Sequence, residues 1–275
     1  MTLRVLLLGD THLGLPARYG ADHSASFERA LEPAFQGRVD IVVHGGDVFF
    51  RSRVKPGVVL RAFEPLKRIA DAGVKVFVVP GNHERSAIPY PLLAAHPGIH
   101  VFDHPRTFAV RVRDMTVVIA GFPNDRDEIC ARFTDLVQQT RWNEPAADIR
   151  LLCMHQTIEG ASVGSIGYTF RRAPDVIPGR AVPRGFAAVL SGHIHRHQVL
   201  TRDLQNRPLA SRVFYAGSTE RTSSAERFEA KGYLTMEIAP DANTGGRVEG
   251  WRFHELSAAA AIGATSAASL RALAE

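Results

Sequence analysis

Seven residues of types that bind hard or borderline divalent metal ions follow apolar runs of this sequence. They are Asp10 and His12 in LGDTHLG, Asp47 in HGGDVFF, Asn82 in PGNHE, His155 in LLCMHQ, and His193 and His195 in SGHIH. Carboxylate, amide and imidazole groups without a thiolate are typical ligands of Mn²⁺, Fe²⁺ or Zn²⁺. Seven ligands are too many for one tetrahedral ion. The set therefore predicts two divalent ions that share a bridging carboxylate.

An eighth residue, His83, directly follows Asn82 and is not needed as a ligand. An imidazole in such a place is suited to acid–base work, because its ordinary pKa lies near neutrality. We therefore predict that His83 is catalytic, either protonating a leaving oxygen or stabilising the charge that develops there.

The elements that must position these side chains are short strands. Each ligand group follows a continuous apolar run, which is typical of strands in a sheet covered on both faces. The runs are Arg4 to Leu8, Val39 to Val43, Val74 to Val79, Ile149 to Met154 and Phe186 to Leu190. In such sheets ligands gather beyond the carboxyl ends of the strands. The pattern predicts that all seven ligands lie on one rim.

The order of these blocks resembles that of the calcineurin-like metallophosphoesterases. Asp-x-His is followed by Gly-Asp, Gly-Asn-His-Glu, a lone His and Gly-His-x-His, and the resemblance spans about Leu3 to Ile238. Within that superfamily the sequence is most similar to the Mre11/SbcD group of DNA-repair nucleases. The similarity lies in DTHLG at 10–14, GDVF at 46–49 and YAGSTERTSSAERFEAKGYLTMEI at 215–238. It implies an α/β fold, a four-layer α/β/β/α sandwich of two mixed sheets flanked by helices.

The resemblance also implies how the two ions are held. One ion would bind Asp10, His12, Asp47 and His195, and the other would bind Asp47, Asn82, His155 and His193. Two ions about 3.5–4 Å apart can hold phosphate oxygens and lower the pKa of a shared water. We therefore expect a metal-dependent phosphodiesterase of nuclease or exonuclease type. Mn²⁺ is the implied metal, and Fe²⁺ or Zn²⁺ would also suit these ligands.

Charge agrees with a polyanionic substrate. The net charge is +5 and the isoelectric point is about 9.5, which favours nucleic acid or another phosphodiester as partner. Arg51 and Arg53 follow the second ligand block, and Arg171 and Arg172 lie in a long segment rich in Gly, Arg and Pro at 157–185. We predict that these four arginines contact the substrate.

The chain length of 275 residues suits one large α/β domain. We place this catalytic domain at residues 1–255 and an Ala/Ser-rich tail or helix at 256–275. The sequence contains no run of eighteen apolar residues, so we predict no membrane span. The N-terminus leads directly into a strand, and we expect no cleaved signal peptide. Two cysteines provide no disulfide framework. We therefore expect a cytoplasmic protein with reduced thiols.

Two departures from the nuclease group leave the substrate open. The group often has a polar residue, commonly His, after Gly-Asp-x-Phe, where this chain has Phe50. Little sequence follows the closing strand, so we expect neither a DNA-capping domain nor a segment for a Rad50-type ATPase, unless the tail serves as the latter. The alternative is a stand-alone phosphoesterase acting on a small phosphodiester, cyclic nucleotide or phosphomonoester. A non-catalytic scaffold is a remote alternative, because such proteins lose ligands and this chain has all of them.

Several structural details are also predicted. Helices are expected at residues 24–36, 57–72 and 126–141, and the resemblance implies a homodimer through the second of them. His44 and Glu84 stand close to ligands in sequence, and for both we favour a solvated strand-end residue over a supporting role.

Overall fold

The computed structural model describes residues 1–16, 23–84, 88–126, 128–164, 167–241 and 243–256. The strands of this part of the chain are β1 (Leu3–Leu8), β2 (Ile41–His44), β3 (Lys75–Val78), β4 (Ile99–Val101), β5 (Arg106–Val112), β6 (Met115–Gly121), β7 (Ile149–His155), β8 (Thr157–Ile158), β9 (Ser162–Val163), β10 (Tyr168–Thr169), β11 (Val176–Ile177), β12 (Ala188–Gly192), β13 (Gln198–Arg202), β14 (Pro208–Tyr215), β15 (Gly232–Ala239) and β16 (Arg247–Glu255). Its α-helices are α1 (His23–Phe35), α2 (Pro56–Asp71), α3 (Tyr90–Ala94) and α4 (Ile129–Gln139), and single 3₁₀ turns span Gly179–Ala181 and Ser224–Glu226.

Two six-stranded mixed sheets form the centre of the fold. The first has the strand order β16-β15-β1-β2-β3-β4, in which β1 to β4 are parallel and the last two strands of the chain are antiparallel. The second has the order β13-β14-β12-β7-β6-β5, with four parallel strands between two antiparallel edges. Every strand that precedes a ligand block thus lies inside a sheet and is parallel to at least one neighbour, and of these strands only β1 has an antiparallel neighbour, β15, on its other side.

Three apolar interfaces hold the layers together. Phe27 of α1 and Leu66 of α2 pack against the outer face of the first sheet. Phe77 and Phe214 belong to the core between the two sheets, and Phe133 of α4 packs against the outer face of the second sheet. The central strands are apolar on both faces because each sheet is covered twice. The predicted α/β class and the α/β/β/α sandwich of two mixed sheets are confirmed.

The predicted helices correspond to α1, α2 and α4, with boundaries that differ by a few residues. The segment at 157–185, whose sequence shows little periodicity, contains β8 to β11 in two small two-stranded sheets. Of the tail or helix predicted for residues 256–275, Leu256 is buried directly after β16, and residues 257–275 lie outside the described residues. None of the helices in the described ranges is long and apolar enough to cross a membrane.

Candidate metal centre

The ends of the two sheets converge at three glycines, one in each of three ligand-bearing turns. A Cβ atom placed on Gly9 would lie 3.6 Å from Gly45 Cα and 3.7 Å from Gly192 Cα. Gly9 and Gly45 follow β1 and β2 of the first sheet, and Gly192 ends β12 of the second. The loops that carry the predicted ligands are therefore brought together although they are far apart in sequence.

Four of the seven predicted ligands have a left-handed backbone, which is uncommon for residues other than glycine. The φ angles are 50° at Asp10, 47° at His12, 52° at Asp47 and 82° at His193. Hydrogen bonds between neighbouring turns hold this conformation, since the Asp10 N–H donates to Gly46 O at 2.9 Å and the His12 N–H to Asp47 O at 3.0 Å. Backbone strain that is maintained by its surroundings in this way is characteristic of functional sites.

One group of predicted ligands consists of Asp10, His12 and His195. Their ligand atoms lie within 4.8 Å of one another. The Nε2 atoms of His12 and His195 face each other at 3.1 Å, and His195 Nε2 lies 3.8 Å from Asp10 Oδ1. Burial lowers the pKa of His12 well below its usual value, so this ring is neutral and offers a lone pair. Lone pairs and a carboxylate directed at one point fit a cation.

A second group consists of Asp47, Asn82, His155 and His193. Asn82 Oδ1 lies 2.9 Å from His155 Nε2 and 2.8 Å from His193 Nδ1, and Asp47 Oδ2 lies 3.4 Å from His155 Nε2. The Nδ1 atom of His155 is 2.7 Å from Gly45 O and donates to it, which leaves Nε2 of the neutral ring as an acceptor. An acceptor nitrogen between an amide and a carboxylate oxygen again requires a positive charge.

The electrostatics of His155 point the same way. Burial acts to lower its pKa, but the carboxylates of Asp47 and Asp10 and the Gly45 carbonyl together outweigh burial and raise the pKa to about 9. The centre therefore stabilises positive charge at His155 Nε2, which a metal ion would supply in place of a proton.

Asp47 lies between the two groups of ligands. Its Oδ2 atom is 3.9 Å from His12 Nε2 in the first group and 3.4 Å from His155 Nε2 in the second. Its Oδ1 atom accepts the His83 backbone N–H at 2.9 Å. A Cβ on Gly81 would be only 2.2 Å from that Oδ1, so the chain can approach the carboxylate this closely only with glycine there. This is the geometry expected of a carboxylate that bridges two ions.

His83 lies beside both groups with one ring nitrogen available. Its Nδ1 atom is 2.7 Å from Phe50 O, to which it donates, and its Nε2 atom is 3.9 Å from Asp47 Oδ2. The His83 ring packs on His12 with centroids 4.9 Å apart, yet 36% of the side chain is exposed. Its Nε2 can therefore reach a molecule bound at the centre.

The prediction that His44 and Glu84 are solvated was wrong. Glu84 is buried and accepts the backbone N–H groups of Phe49 and Gly81, both at 2.8 Å, so it ties two ligand loops together. Burial, helped by the charge of Asp47, raises the pKa of Glu84 to about 7. Phe49 is brought close to Glu84 only by the fold, so sequence proximity to a ligand could not reveal this contact.

His44 is fully buried at the end of β2. Its Nε2 atom is 3.1 Å from Thr11 Oγ1, and its Nδ1 atom accepts the Gly46 N–H at 3.2 Å. Burial lowers the pKa of His44 to about 3, which keeps it neutral in this bonding pattern. Through Thr11 and Gly46 it supports the turns that carry Asp10 and Asp47.

Of the four arginines predicted to contact substrate, Arg51 is linked to His83 through Phe50. The Arg51 guanidinium stacks over Phe50, 5.4 Å from the ring centroid, and Phe50 packs on His83 with centroids 5.7 Å apart. Three others are exposed: Arg53, Arg171 and Arg172. The sequence analysis did not single out Arg126. Its guanidinium donates to the Asn82 carbonyl at 2.6 Å, which places its positive charge beside the centre.

Comparison with known proteins gives a consistent family. The curated relatives include proteins named DNA double-strand break repair protein Mre11. That of Haloferax volcanii is 29% identical over 251 residues, covering 87% of this chain and 50% of the relative. That of Thermoplasma acidophilum is 27% identical over 237 residues, covering 82% of this chain and 57% of the relative. The chain thus spans about half the length of these relatives.

A solved structure of a dimetal phosphatase from Danio rerio supports the fold alone, at 10% identity and a TM-score of 0.51, covering 90% of this chain and 98% of that one. The family profile described as calcineurin-like phosphoesterase matches residues 3–197, well over half of the chain. The superfamily predicted from the ligand blocks is confirmed: this chain belongs to the calcineurin-like phosphoesterase family.

Proposed function

We propose that this chain is a two-metal phosphodiesterase of nuclease type that cleaves DNA. The observation that carries the proposal is the convergence of all seven predicted ligands, with His83 beside them, into two adjoining groups that share Asp47. The names of the Mre11 relatives favour DNA as the substrate over a small phosphoester.

The proposed ligands of the first ion are Asp10, His12, Asp47 and His195, and those of the second are Asp47, Asn82, His155 and His193. Two divalent ions in such a site lower the pKa of a water and neutralise charge on phosphate oxygens. We propose Mn²⁺ as the native metal, from an oxygen- and nitrogen-only ligand set that also suits Fe²⁺ or Zn²⁺.

The chain's own residues supply orientation and a proton. Gly45 O fixes the Nδ1–H of His155, so that the Nε2 lone pair faces the centre. Phe50 O does the same for His83, which leaves Nε2 as the ring atom that can meet the substrate. When protonated, His83 Nε2 donates to the oxygen that leaves phosphorus.

Substrate contacts and partners extend the proposal. Arg51, Arg53, Arg171 and Arg172 are the proposed phosphate contacts. A homodimer through α2 fits the 64% exposure of Leu60 on that helix. Three points stay predictions. They are association with a Rad50-type ATPase, a cytoplasmic location, and the boundary between a catalytic domain at 1–255 and a tail at 256–275.

The test is Mn²⁺-dependent cleavage of end-labelled single-stranded and duplex DNA, with an aryl phosphodiester assayed in parallel. His83→Ala should lose DNA cleavage, whereas His104→Ala should retain it, because His104 is exposed and pairs with Asp103. Cleavage of the aryl diester alone would shift the proposal to the small-phosphodiester alternative. Two bound ions without turnover of either substrate would refute the proposed phosphodiesterase activity on DNA.

A further inference from the structure

One proposed ligand, His195, is enclosed by a segment that carries no metal ligand. The segment runs from Ser218 to Gly232 and contains a single 3₁₀ turn at Ser224–Glu226. Its two ends are joined, since the Gly232 N–H donates to Ser218 O at 3.1 Å, and the Ser218 N–H donates to His195 O at 3.1 Å. The segment therefore closes over His195 as a compact loop.

The side chain of His195 is held by Glu226. His195 Nδ1 lies 3.1 Å from Glu226 Oε1 and donates to it, so the ring turns its Nε2 towards His12 and Asp10. Thr222 Oγ1 donates to the same carboxylate oxygen at 2.7 Å. Thr222 thereby orients the Glu226 carboxylate independently of its contact with His195.

A buried lysine fixes the other oxygen of Glu226. Lys231 has 1% of its side chain exposed and contacts Glu226 Oε2 at 2.7 Å and Glu229 Oε2 at 3.1 Å. Its third Nζ contact is a 3.0 Å bond to the backbone carbonyl of His195. An ammonium has three donors, and all three are used here. Lys231 thus holds the backbone of His195 directly and its ring through Glu226.

We infer that Glu226 is a positioning residue that sets the tautomer and direction of His195, and that Lys231 positions Glu226. The inference rests on the proposed metal-binding role of His195. A carboxylate on the far nitrogen of a ligating imidazole fixes the ring and increases its basicity, and losing such a partner typically weakens metal binding about 10–100-fold.

The hydrogen-bond pattern requires a carboxylate at this position. Every group that contacts Glu226 is a donor: on Oε1 they are His195 Nδ1, Thr222 Oγ1 and Ser223 Oγ, and on Oε2 they are Thr222 N and Lys231 Nζ. A glutamine would turn its amide hydrogens towards donors on one side or the other. Glu226→Gln therefore keeps the size of the side chain but leaves one acceptor oxygen, which the charged Lys231 binds more strongly than the His195 N–H does.

The segment offers a matched control in Glu220. This residue is buried and also accepts hydrogen bonds, from Ser26 Oγ at 3.1 Å and from the Arg221 N–H at 2.8 Å. Those partners are separate from His195, so Glu220→Gln removes a buried carboxylate of the same loop without touching the ligand.

The experiment is calorimetric titration of the full chain, stripped of metal, with Mn²⁺. Wild type and Glu220→Gln should bind two ions, and Glu226→Gln should bind one of them about 10–100-fold more weakly. Lys231→Met should weaken the binding of the same ion. Urea unfolding of the metal-free proteins separates weaker Mn²⁺ binding from loss of fold. Glu226→Gln and Lys231→Met should bind Mn²⁺ more weakly even where their unfolding midpoints equal that of Glu220→Gln.

Nitrogen-15 NMR of the metal-free protein gives a readout that does not depend on metal. The His195 Nδ1 proton, assigned by its absence in His195→Gln, should be protected from solvent exchange in wild type and Glu220→Gln but not in Glu226→Gln. Two ions bound with wild-type affinity by Glu226→Gln, or equal weakening in Glu220→Gln, would overturn the inference. If wild type binds no ion while the Nδ1 proton behaves as expected, the proposed function fails and the positioning of His195 stands.

Discussion

The substitution Gly46→Ala tests the packing of the centre without assuming that metal is bound. Gly46 has a φ of +110°, and a Cβ placed on it would lie 2.2 Å from His155 Nδ1 and 2.7 Å from His155 Cγ. The ring cannot retreat cheaply, because its Nδ1–H donates to Gly45 O at 2.7 Å and the residue is fully buried. Alanine must therefore displace either the backbone of this turn or the ring itself.

The magnitude combines three separate costs. A left-handed backbone with a Cβ costs about 1–2 kcal/mol, overpacking of a buried side chain about 1–3 kcal/mol, and loss of the hydrogen bond to Gly45 O about 1 kcal/mol. We expect Gly46→Ala to lower the free energy of unfolding by about 3–6 kcal/mol. Gly37→Ala is the control, because Gly37 also has a positive φ, +64°, but among the described residues no atom beyond its chain neighbours lies within 4 Å of the position that a Cβ would take. It should cost only about 1–2 kcal/mol.

Urea unfolding of wild type and both variants in EDTA measures the two costs. Mn²⁺ titration should in addition show weaker binding of the ion assigned to His155 in Gly46→Ala and unchanged binding in Gly37→Ala. Equal destabilisation by the two substitutions would refute the reasoning, because it would mean that His155 is not packed against this turn.

Three further outcomes are expected. Asp47→Asn should abolish cleavage and reduce bound metal at both sites, measured by elemental analysis of the dialysed protein, since its carboxylate lies between the two ligand groups. Burial acts to raise the pKa of Asp40, but hydrogen bonds from Arg4 and Arg113 outweigh burial and lower the pKa. Wild type should therefore be about 1–2 kcal/mol more stable than Asp40→Asn above about pH 4, and this difference should disappear as pH falls through the lowered pKa. Urea unfolding of both proteins as a function of pH measures the difference. If the chain dimerises through α2, Leu60→Glu should shift its sedimentation to that of a monomer without changing its circular dichroism, and an unchanged dimer would place the interface elsewhere.

The residues that meet at the candidate centre were predictable because their signal is local. A buried parallel strand must end in a turn, and a polar residue such as Asp10 or His155 directly after an apolar run is visible without knowledge of the fold. The parallel order of these strands then gathers the turns at one edge, as the structure shows. The resemblance to a family supplied the remaining step, the division of the fold into two sheets.

The supporting residues were not predictable in this way. His44 and Glu84 look like solvated strand-end residues until their partners Thr11 and Phe49, which lie in other turns, are known. Glu226 stands in a stretch without apolar periodicity, 31 residues after the histidine that it contacts. Which polar residue becomes a partner is decided by how the loops pack, which sequence periodicity does not encode.

Neither sheet can assemble the centre without the other. Asp10 and Asn82 follow strands of the first sheet, and His155 and His193 follow strands of the second. The contacts that close the centre cross between the sheets, since Asn82 Oδ1 meets both imidazoles and the His193 N–H donates to Asp10 at 3.0 Å. Each proposed ion takes ligands from both sheets, so it binds only when the core between them is packed. Ions that bind the folded state alone stabilise it by about 2.7 kcal/mol at a hundred times their dissociation constant. The packing of the two sheets and the affinity for metal are therefore coupled, and a cavity cut between the sheets would weaken apparent metal binding to the extent that it lowers the folded fraction.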